Sequence, residues 1–499
     1  MEKTNFTFID LFSGIGGFKM ALSKNGGECI GFSEINKDAI NTYCENFKVS
    51  HSENFGSITK IKELPYHDIL TAGVPCQSWS IAGKNLGFDD DRGQLWNDTI
   101  YLLQQSKPKA FIFENVKGLV DPRNKKPFTY ILDRIKEAGY NASYHVINSY
   151  DYGVPQNRIR VYIIGFKEKE FHHKFKLQKP LTKKNKLGDI LEVKPIENNV
   201  NNNIQLDLFG NIVSRKSMSL SSTNGFNDYF LFNDLRNGET TIHSWDIIET
   251  TERQKQICLL LLRNRRKSAY GKLDGNPLSF QHFKLLDSTI LQSELDELVN
   301  LEILKTEEYT FKIINTEYEN LNESENEIIS KSIDNKFVID DLKTNRVFKV
   351  KKIPIVKTIE LLKEKKIVSC TEIRYDFKNT KISTGLYGIN RVFLPSSDIF
   401  PTLVASDTND YVTLKHIQAS NNKEYKNKFL NEIYKNEEYR KITKKEACQI
   451  QGFPKEFILP ESRARWMKLI GNSVSVPVIE MLCESIIKTG VFEDNKDKR

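Results

Sequence analysis

Residues 6–35 read FTFIDLFSGIGGFKMALSKNGGECIGFSEI. The opening residues form a short apolar run with aromatic and β-branched side chains, the pattern of a buried strand. Ser13–Gly17 is a glycine-rich tight loop, Phe18–Ser23 opens a helix, and residues 27–35 read as the next strand. Strand, turn, helix and strand make a βαβ unit, and such units build parallel sheets. Glu34 ends the second strand 20 residues after Gly14. Glycines let backbone approach a ligand, and an acid at that distance suits ribose hydroxyls, so the stretch fits a nucleotide or S-adenosylmethionine. Taken alone, a glycine-rich turn is more often structural.

The same alternation continues through HDILTAGVP (67–75), AFIFENV (110–116) and VYIIGF (161–166), which predicts a mostly parallel sheet over residues 1–180. Beyond 180 the chain turns lysine- and asparagine-rich, with an Asn cluster at 198–203 that reads as a linker. Residues 205–435 are polar and irregular. Order returns at ITKKEACQIQGFP (442–454) and GNSVSVPVIEMLCESIIK (471–488), whose tail reads as an amphipathic helix. In the middle region, 293–316 aligns without gaps on 357–380, with Leu298/Leu362, Ile303/Ile367, Glu308/Glu372, Asn315/Asn379 and Thr316/Thr380 identical. Both copies read as a helix followed by a strand with alternating aromatics, the helix-then-wing pattern of winged-helix DNA readers. Two unrelated helix–strand units fit the same residues.

The 499 residues are 39% hydrophobic and 28% charged, which excludes wholesale disorder. No run approaches ~18 apolar residues, and the N-terminus enters a strand with no signal-peptide pattern, so the expectation is a cytoplasmic protein and no membrane partner. The seven cysteines are scattered with no C-x-x-C, which fits a reducing compartment and no metal site. Charge is patchy: residues 1–100 carry 9 basic and 13 acidic groups, residues 101–180 carry 15 and 7. Basic patches suit phosphate tracking, and solvated helix faces produce them equally.

Three further segments carry chemistry. Gly73-Val-Pro-Cys76-Gln-Ser-Trp-Ser80 sets a cysteine just past a buried strand, although most such cysteines are inert. Phe113-Glu114-Asn115-Val116 sets a carboxylate at another strand end, and Gln156-Asn157-Arg158-Ile159-Arg160 adds two arginines before a third strand. Ligands bind at the carboxyl ends of strands in open α/β sheets, so these groups are expected to converge.

At this point the chain resembles a known family, the DNA methyltransferases that act at ring carbon 5 of cytosine, of prokaryotic restriction-modification type. DLFSGIGG, SEIN, GVPCQSWS, DRGQLW (91–96), ENV, QNRIRVYIIGF, RKITKKEACQIQGFP (440–454) and GNSVSVPV (471–478) occur in the family's order. The Asn/Asp-Pro-Pro-aromatic segment of enzymes that methylate exocyclic amines is missing from the sequence. Methyltransferases of tRNA cytosine share the catalytic motifs but lack a large insert like the one between 166 and 440.

The resemblance implies a Rossmann-like, S-adenosylmethionine-dependent methyltransferase domain (1–190 with 465–499). It also implies a smaller mixed α/β target-recognition domain (191–464, hinge near 440–464), with double-stranded DNA in the cleft between them. Cytosine carbon 5 is a poor nucleophile, so a nucleophile must first add at carbon 6. Cys76 is implied as that group, as a thiolate favoured by the arginines. Glu114 would hold ring nitrogen 3 and the amine, Arg160 the base carbonyl, and Arg158 a phosphate or the active-site loop. The target base must leave the helix stack to reach them. For S-adenosylmethionine, the family places Phe12 and Ile35 at the adenine, Gly14 and Gly16 along the methionine part, and Glu34 on the ribose. Pro75, Leu95 and Asn472-Ser473-Val474 would close the pocket. The family commonly has Asp where this chain has Ser57, so an uncharged acceptor would meet the adenine amine. RNRRK (263–267) is a candidate phosphate contact. A restriction endonuclease is the implied genetic partner, with no physical complex required, and the enzyme is expected to act as a monomer.

Overall fold

The computed structural model describes residues 5–75, 91–193, 205–206, 212–213, 227–318, 320–343 and 355–493. Two compact units form. One comprises Met1–Tyr229, Phe393–Gln418 and Asn436–Arg499, the other Phe230–Val392 and Ala419–Lys435. Residues 436–464 thus group with the first unit, whereas the sequence reading divides the chain near 190 and 465. The reason is burial: Ile442, Cys448, Ile450, Phe453 and Phe457 share one apolar core with Phe18 and Ile164.

The first unit is built on a six-stranded sheet in the order β2-β1-β3-β4-β7-β5. Its strands are β1 (Phe6–Leu11), β2 (Gly27–Ser33), β3 (Ile69–Gly73), β4 (Ala110–Val116), β5 (Asn141–Asn148) and β7 (Ile159–Phe166). A two-residue β6 (Gln156–Asn157) pairs with Phe400–Pro401 outside the sheet. β2, β1, β3 and β4 run parallel, while β7 is antiparallel to both β4 and β5. The central strands β3, β4 and β7 are largely apolar because both faces are covered. Along β4, Ala110 and Ile112 enter one core while Phe111 and Phe113 enter the other.

Helices α1 (Gly17–Lys24), α2 (Lys37–Phe47), α3 (Asp91–Ser106) and α4 (Lys125–Glu137) alternate with the strands. The core on one face takes Trp96, Ile100 and Leu103 of α3 and Ile131 and Ile135 of α4. The other takes Phe18, Ala21 and Leu22 of α1 with Met467, Ile470, Val478, Ile479 and Leu482 from the chain's end. The tail helix Val476–Ile487 buries Val478, Ile479 and Leu482 and leaves Glu480 and Glu484 part-exposed on one stripe, the amphipathic element that the sequence pattern suggests. The ring of Phe492 stacks on that of Phe6 at 4.8 Å.

In the second unit both suspected repeats are a helix followed by a strand. Helix Gln292–Asn300 leads to strand Leu304–Ile313, and helix Ile355–Glu364 leads to strand Val368–Phe377. The two strands pair antiparallel, Leu304 facing Phe377 and Ile313 facing Val368, so the copies are related by a local two-fold. Each copy also contributes a short strand to the other's long one. Leu278–Ser279 pairs with Tyr375 and Arg374, and Phe337–Val338 pairs with the equivalent Phe311 and Thr310. The cores are exchanged accordingly: Tyr375 and Phe377 pack with Leu298 and Ile303, while Tyr309 and Phe311 pack with Leu362 and Ile367.

This packing decides the fate of Arg265 within RNRRK (263–267), while Arg263, Arg266 and Lys267 stay exposed. Arg265 is buried and donates to both carboxylate oxygens of buried Asp376 at 3.0 Å. It is therefore a structural cation and no phosphate contact. Removing one partner of such a pair strands a buried charge, which costs about 3–5 kcal/mol, whereas replacing both with apolar groups is often neutral. Arg265→Ala is expected to lower stability in urea unfolding by that amount, and Arg265→Met with Asp376→Leu to recover most of it. An Arg265→Ala chain of parental stability with weakened DNA binding would restore the phosphate reading.

Candidate active site

The strands of the first unit deliver their ends to one edge. Phe12 and Gly14 follow β1, Glu34 and Ile35 follow β2, Val74 and Pro75 follow β3, and Glu114 lies at the end of β4. β7 runs the opposite way, so its amino end carries Arg160 to that same edge, with Val116 of β4 facing it. A cavity of about 360 Å³ opens there, within the range of small-molecule sites. Phe12, Gly14, Glu34, Ile35, Ser57, Pro75 and Leu95 line it, and so do Glu114, Arg158, Arg160 and Asn472.

Three expected cofactor residues lie elsewhere. Gly16 caps α1 at φ 87°, and a Cβ there would meet Phe47 Cε2 at 2.2 Å, so close packing accounts for this glycine. Ser473 and Val474 stand behind the glycine turn: a Cβ on Gly17 would come 2.6 Å from Val474 Cγ2 and 3.0 Å from Ser473 Oγ. Cys76 lies outside the described residues, while Pro75 just before it lines the cavity.

Glu34 organises one end of the cavity. Its Oε2 accepts the Gly14 N–H at 2.9 Å, and its Oε1 accepts the N–H groups of Ile35 and Asn36 at 2.8 Å. A carboxylate has about four acceptor positions, so capacity for a hydroxyl donor remains. Ile35 is 73% exposed, an apolar side chain held open on the cavity wall. Phe12 is held at φ 51°, a strained conformation for an aromatic residue and one that clusters at functional sites.

At the other end, Arg160 Nε lies 3.2 Å from Glu114 Oε1, and both side chains are largely buried. Burial raises the Glu114 carboxyl above its ordinary range, opposed by Arg160 and Arg158. Arg158 is also buried, and its guanidinium donates to the backbone carbonyls of Leu403, Gly471 and Ser473. The sequence reading assigns Arg158 to a phosphate or the loop; the structure shows it bound to three backbone carbonyls.

The comparisons with known proteins follow this geometry. The sequence pattern of the C-5 cytosine-specific DNA methylases matches residues 6–488. The chain belongs to this family. It is similar to the type II methyltransferase M.HgiBI of Herpetosiphon aurantiacus, 39% identical over 98% of each chain. M.NlaIV of Neisseria lactamica is 30% identical over 97% of this chain and 99% of its own. Among solved structures, the Entamoeba histolytica methyltransferase EhMeth covers 99% of both chains at 15% identity, with a TM-score of 0.47. The protein is a sequence-specific DNA cytosine-5 methyltransferase of the restriction-modification type.

Several residues that organise the methylase site carry no separate sequence signal. Asn54 accepts the N–H groups of Glu34 and Gly56 at 3.0 Å each and so holds Glu34 beside Ser57. Buried Asn115 donates to the Val74 carbonyl at 3.1 Å, fixing the chain two residues before Cys76. Asp10 is fully buried beneath the glycine turn, with Thr71 Oγ1 on its Oδ1 at 3.1 Å and no partner for Oδ2 among the described residues. Burial pushes its carboxyl up to about 7.

A carboxyl whose folded pKa exceeds its unfolded one contributes full stability below the unfolded value and loses it as pH rises to the folded one. The window here runs from about 4 to about 7. Urea unfolding should therefore show Asp10→Asn gaining on the parent by about 3 kcal/mol between pH 5 and pH 8. A pH-independent difference would mean that Asp10 is ionised in the folded methylase.

Proposed function

We propose that the cavity at the sheet edge binds S-adenosylmethionine beside an extruded cytosine, and that Cys76, Glu114 and Arg160 act on that base. The observation that supports this most is one cavity wall holding both the Glu34-bound glycine turn and the Glu114–Arg160 pair. The cavity fits the cofactor: an open apolar lip at Phe12 and Ile35 for a purine, a carboxylate for ribose hydroxyls, and the Ser57 hydroxyl for an amine. When bound, S-adenosylmethionine supplies an electrophilic methyl group for carbon 5.

The protein's own groups do the rest. Cys76 as thiolate adds to carbon 6 and pushes electrons towards carbon 5 and ring nitrogen 3. A cytosine presents an acceptor at nitrogen 3 and a donor at its amine, so a protonated Glu114 can donate to the first and accept from the second. Its burial favours that protonated form. Arg160 holds Glu114 in place and offers its remaining N–H donors to the base carbonyl. Loss of the carbon-5 proton to a base then expels Cys76 and restores aromaticity. Arg158 positions backbone through three carbonyls.

In this reading the first unit carries catalysis and the second, Phe230–Val392 with Ala419–Lys435, carries target recognition. The methylase acts as a cytoplasmic monomer that protects DNA from a genetically paired endonuclease. Bisulfite sequencing of DNA from a methylation-free host is expected to show protected cytosines confined to one short motif, and none with Cys76→Ala. Protection that persists in that variant would overturn the nucleophile assignment. Replacing Ser57 with Asp should tighten cofactor binding by about five- to ten-fold in titration calorimetry, since a charged acceptor makes the stronger hydrogen bond. An unchanged affinity would remove Ser57 from the adenine site.

A further inference from the structure

The buried amide of Gln451 has no part in the chemistry above, yet it sits in a continuous hydrogen-bonded chain that reaches the cavity wall at Arg158. Gln156 Nε2 donates to the Ile450 carbonyl at 2.9 Å and to Gln451 Oε1 at 3.0 Å. Gln451 must then turn its NH2 the other way, where it donates to the Ser473 carbonyl at 2.7 Å. The same carbonyl takes Arg158 Nη2 at 2.6 Å, and Gly471 just before it takes both Arg158 NH groups at 3.2 Å. Gln156 and Gln451 are fully inaccessible, and Gln156 Oε1 has no partner among the described residues. A buried orphan acceptor is costly, so its retention marks an orientation worth holding.

The peptide gripped by this network is the short crossover between helices Arg463–Asn472 and Val476–Ile487. Its near end, Gly471 and Asn472, lines the cavity. Its far end, Ser473 and Val474, is packed on Gly17, the first residue of the helix that follows the glycine turn. A shift of the Ser473 carbonyl therefore moves both the Asn472 wall and the support under the turn. We infer that Gln451, clamped by Gln156, is a positioning residue that sets this crossover against the glycine turn and so determines cofactor affinity; this rests on the cavity being the S-adenosylmethionine site.

Losing one buried amide contact from a carbonyl that Arg158 still holds should loosen the wall without dismantling the fold. The full-length Gln451→Met chain is expected to bind S-adenosylhomocysteine about ten-fold more weakly by titration calorimetry. Its KM for the methyl donor should rise by a similar factor, with kcat at saturating donor within about two-fold of the parent and a near-parental melting temperature. Gln156→Met, acting on the same clamp from the other side, should reproduce the split and serves if Gln451→Met does not fold. Glu34→Ala is the reference for the cavity itself. Weakened binding in Glu34→Ala with unchanged binding in Gln451→Met and Gln156→Met overturns the positioning role. A fall in kcat with unchanged affinity overturns it as well. Unchanged binding in Glu34→Ala removes the cavity reading on which the proposal stands.

Discussion

The antiparallel strand β7 lies between β4 and β5, and this single reversal places the chemistry. Four parallel neighbours end at one edge of the sheet, where loops are free to hold ligands. A fifth parallel strand would send its amino-terminal residues to the opposite edge. Because β7 runs backwards, Arg160 begins it at the ligand edge, across from Val116 and within reach of Glu114. The acid–arginine pair thus follows from strand direction, and the cavity follows from the loops of β1, β2 and β3 arriving at the same place.

Polar side chains hold that edge together. Glu34 ties the glycine turn to the start of α2, Asn54 ties Glu34 to the turn at Gly56, and Asn115 ties β4 to the residues before Cys76. Arg158 does the same for the chain's end by binding three carbonyls from two distant segments. Each is a side chain satisfying backbone, and Asn115 and Arg158 do so in a place water does not reach, where an unpaired group would be expensive. Preorganisation of this kind keeps the cavity's charged groups in register without spending substrate binding energy on it.

The second unit shows what a weak sequence signal is worth. Five identities over 24 positions look like coincidence, yet the buried positions of the first copy have buried counterparts in the second, save Tyr309 against exposed Ile373. Leu298 and Leu362, Ile303 and Ile367, and Phe377 and Ile313 occupy equivalent sites in the two cores. The copies diverged at the surface, where substitutions are cheap, and kept the interior volume, where they are not. That the short strands pair with the opposite copy was invisible, because a two-residue strand has no periodicity to read.

The sequence by itself determined the alternation of strands and helices, the glycine turn, the family, and the candidates Cys76, Glu114 and Arg160, since these rest on local pattern and on short motifs in order. Phe12, Glu34, Ser57, Leu95 and Asn472 were likewise legible from their motifs. Tertiary structure alone decided that Arg158 and Arg265 are inward-facing cations and that Ser473 and Val474 support the site from behind. It also decided that residues 436–464 belong with the sheet. The physical reason is common to all of these: an arginine or a serine in a motif has the same letters whether it faces solvent, a substrate or a backbone carbonyl. Only the packing of segments hundreds of residues apart determines which of those it meets.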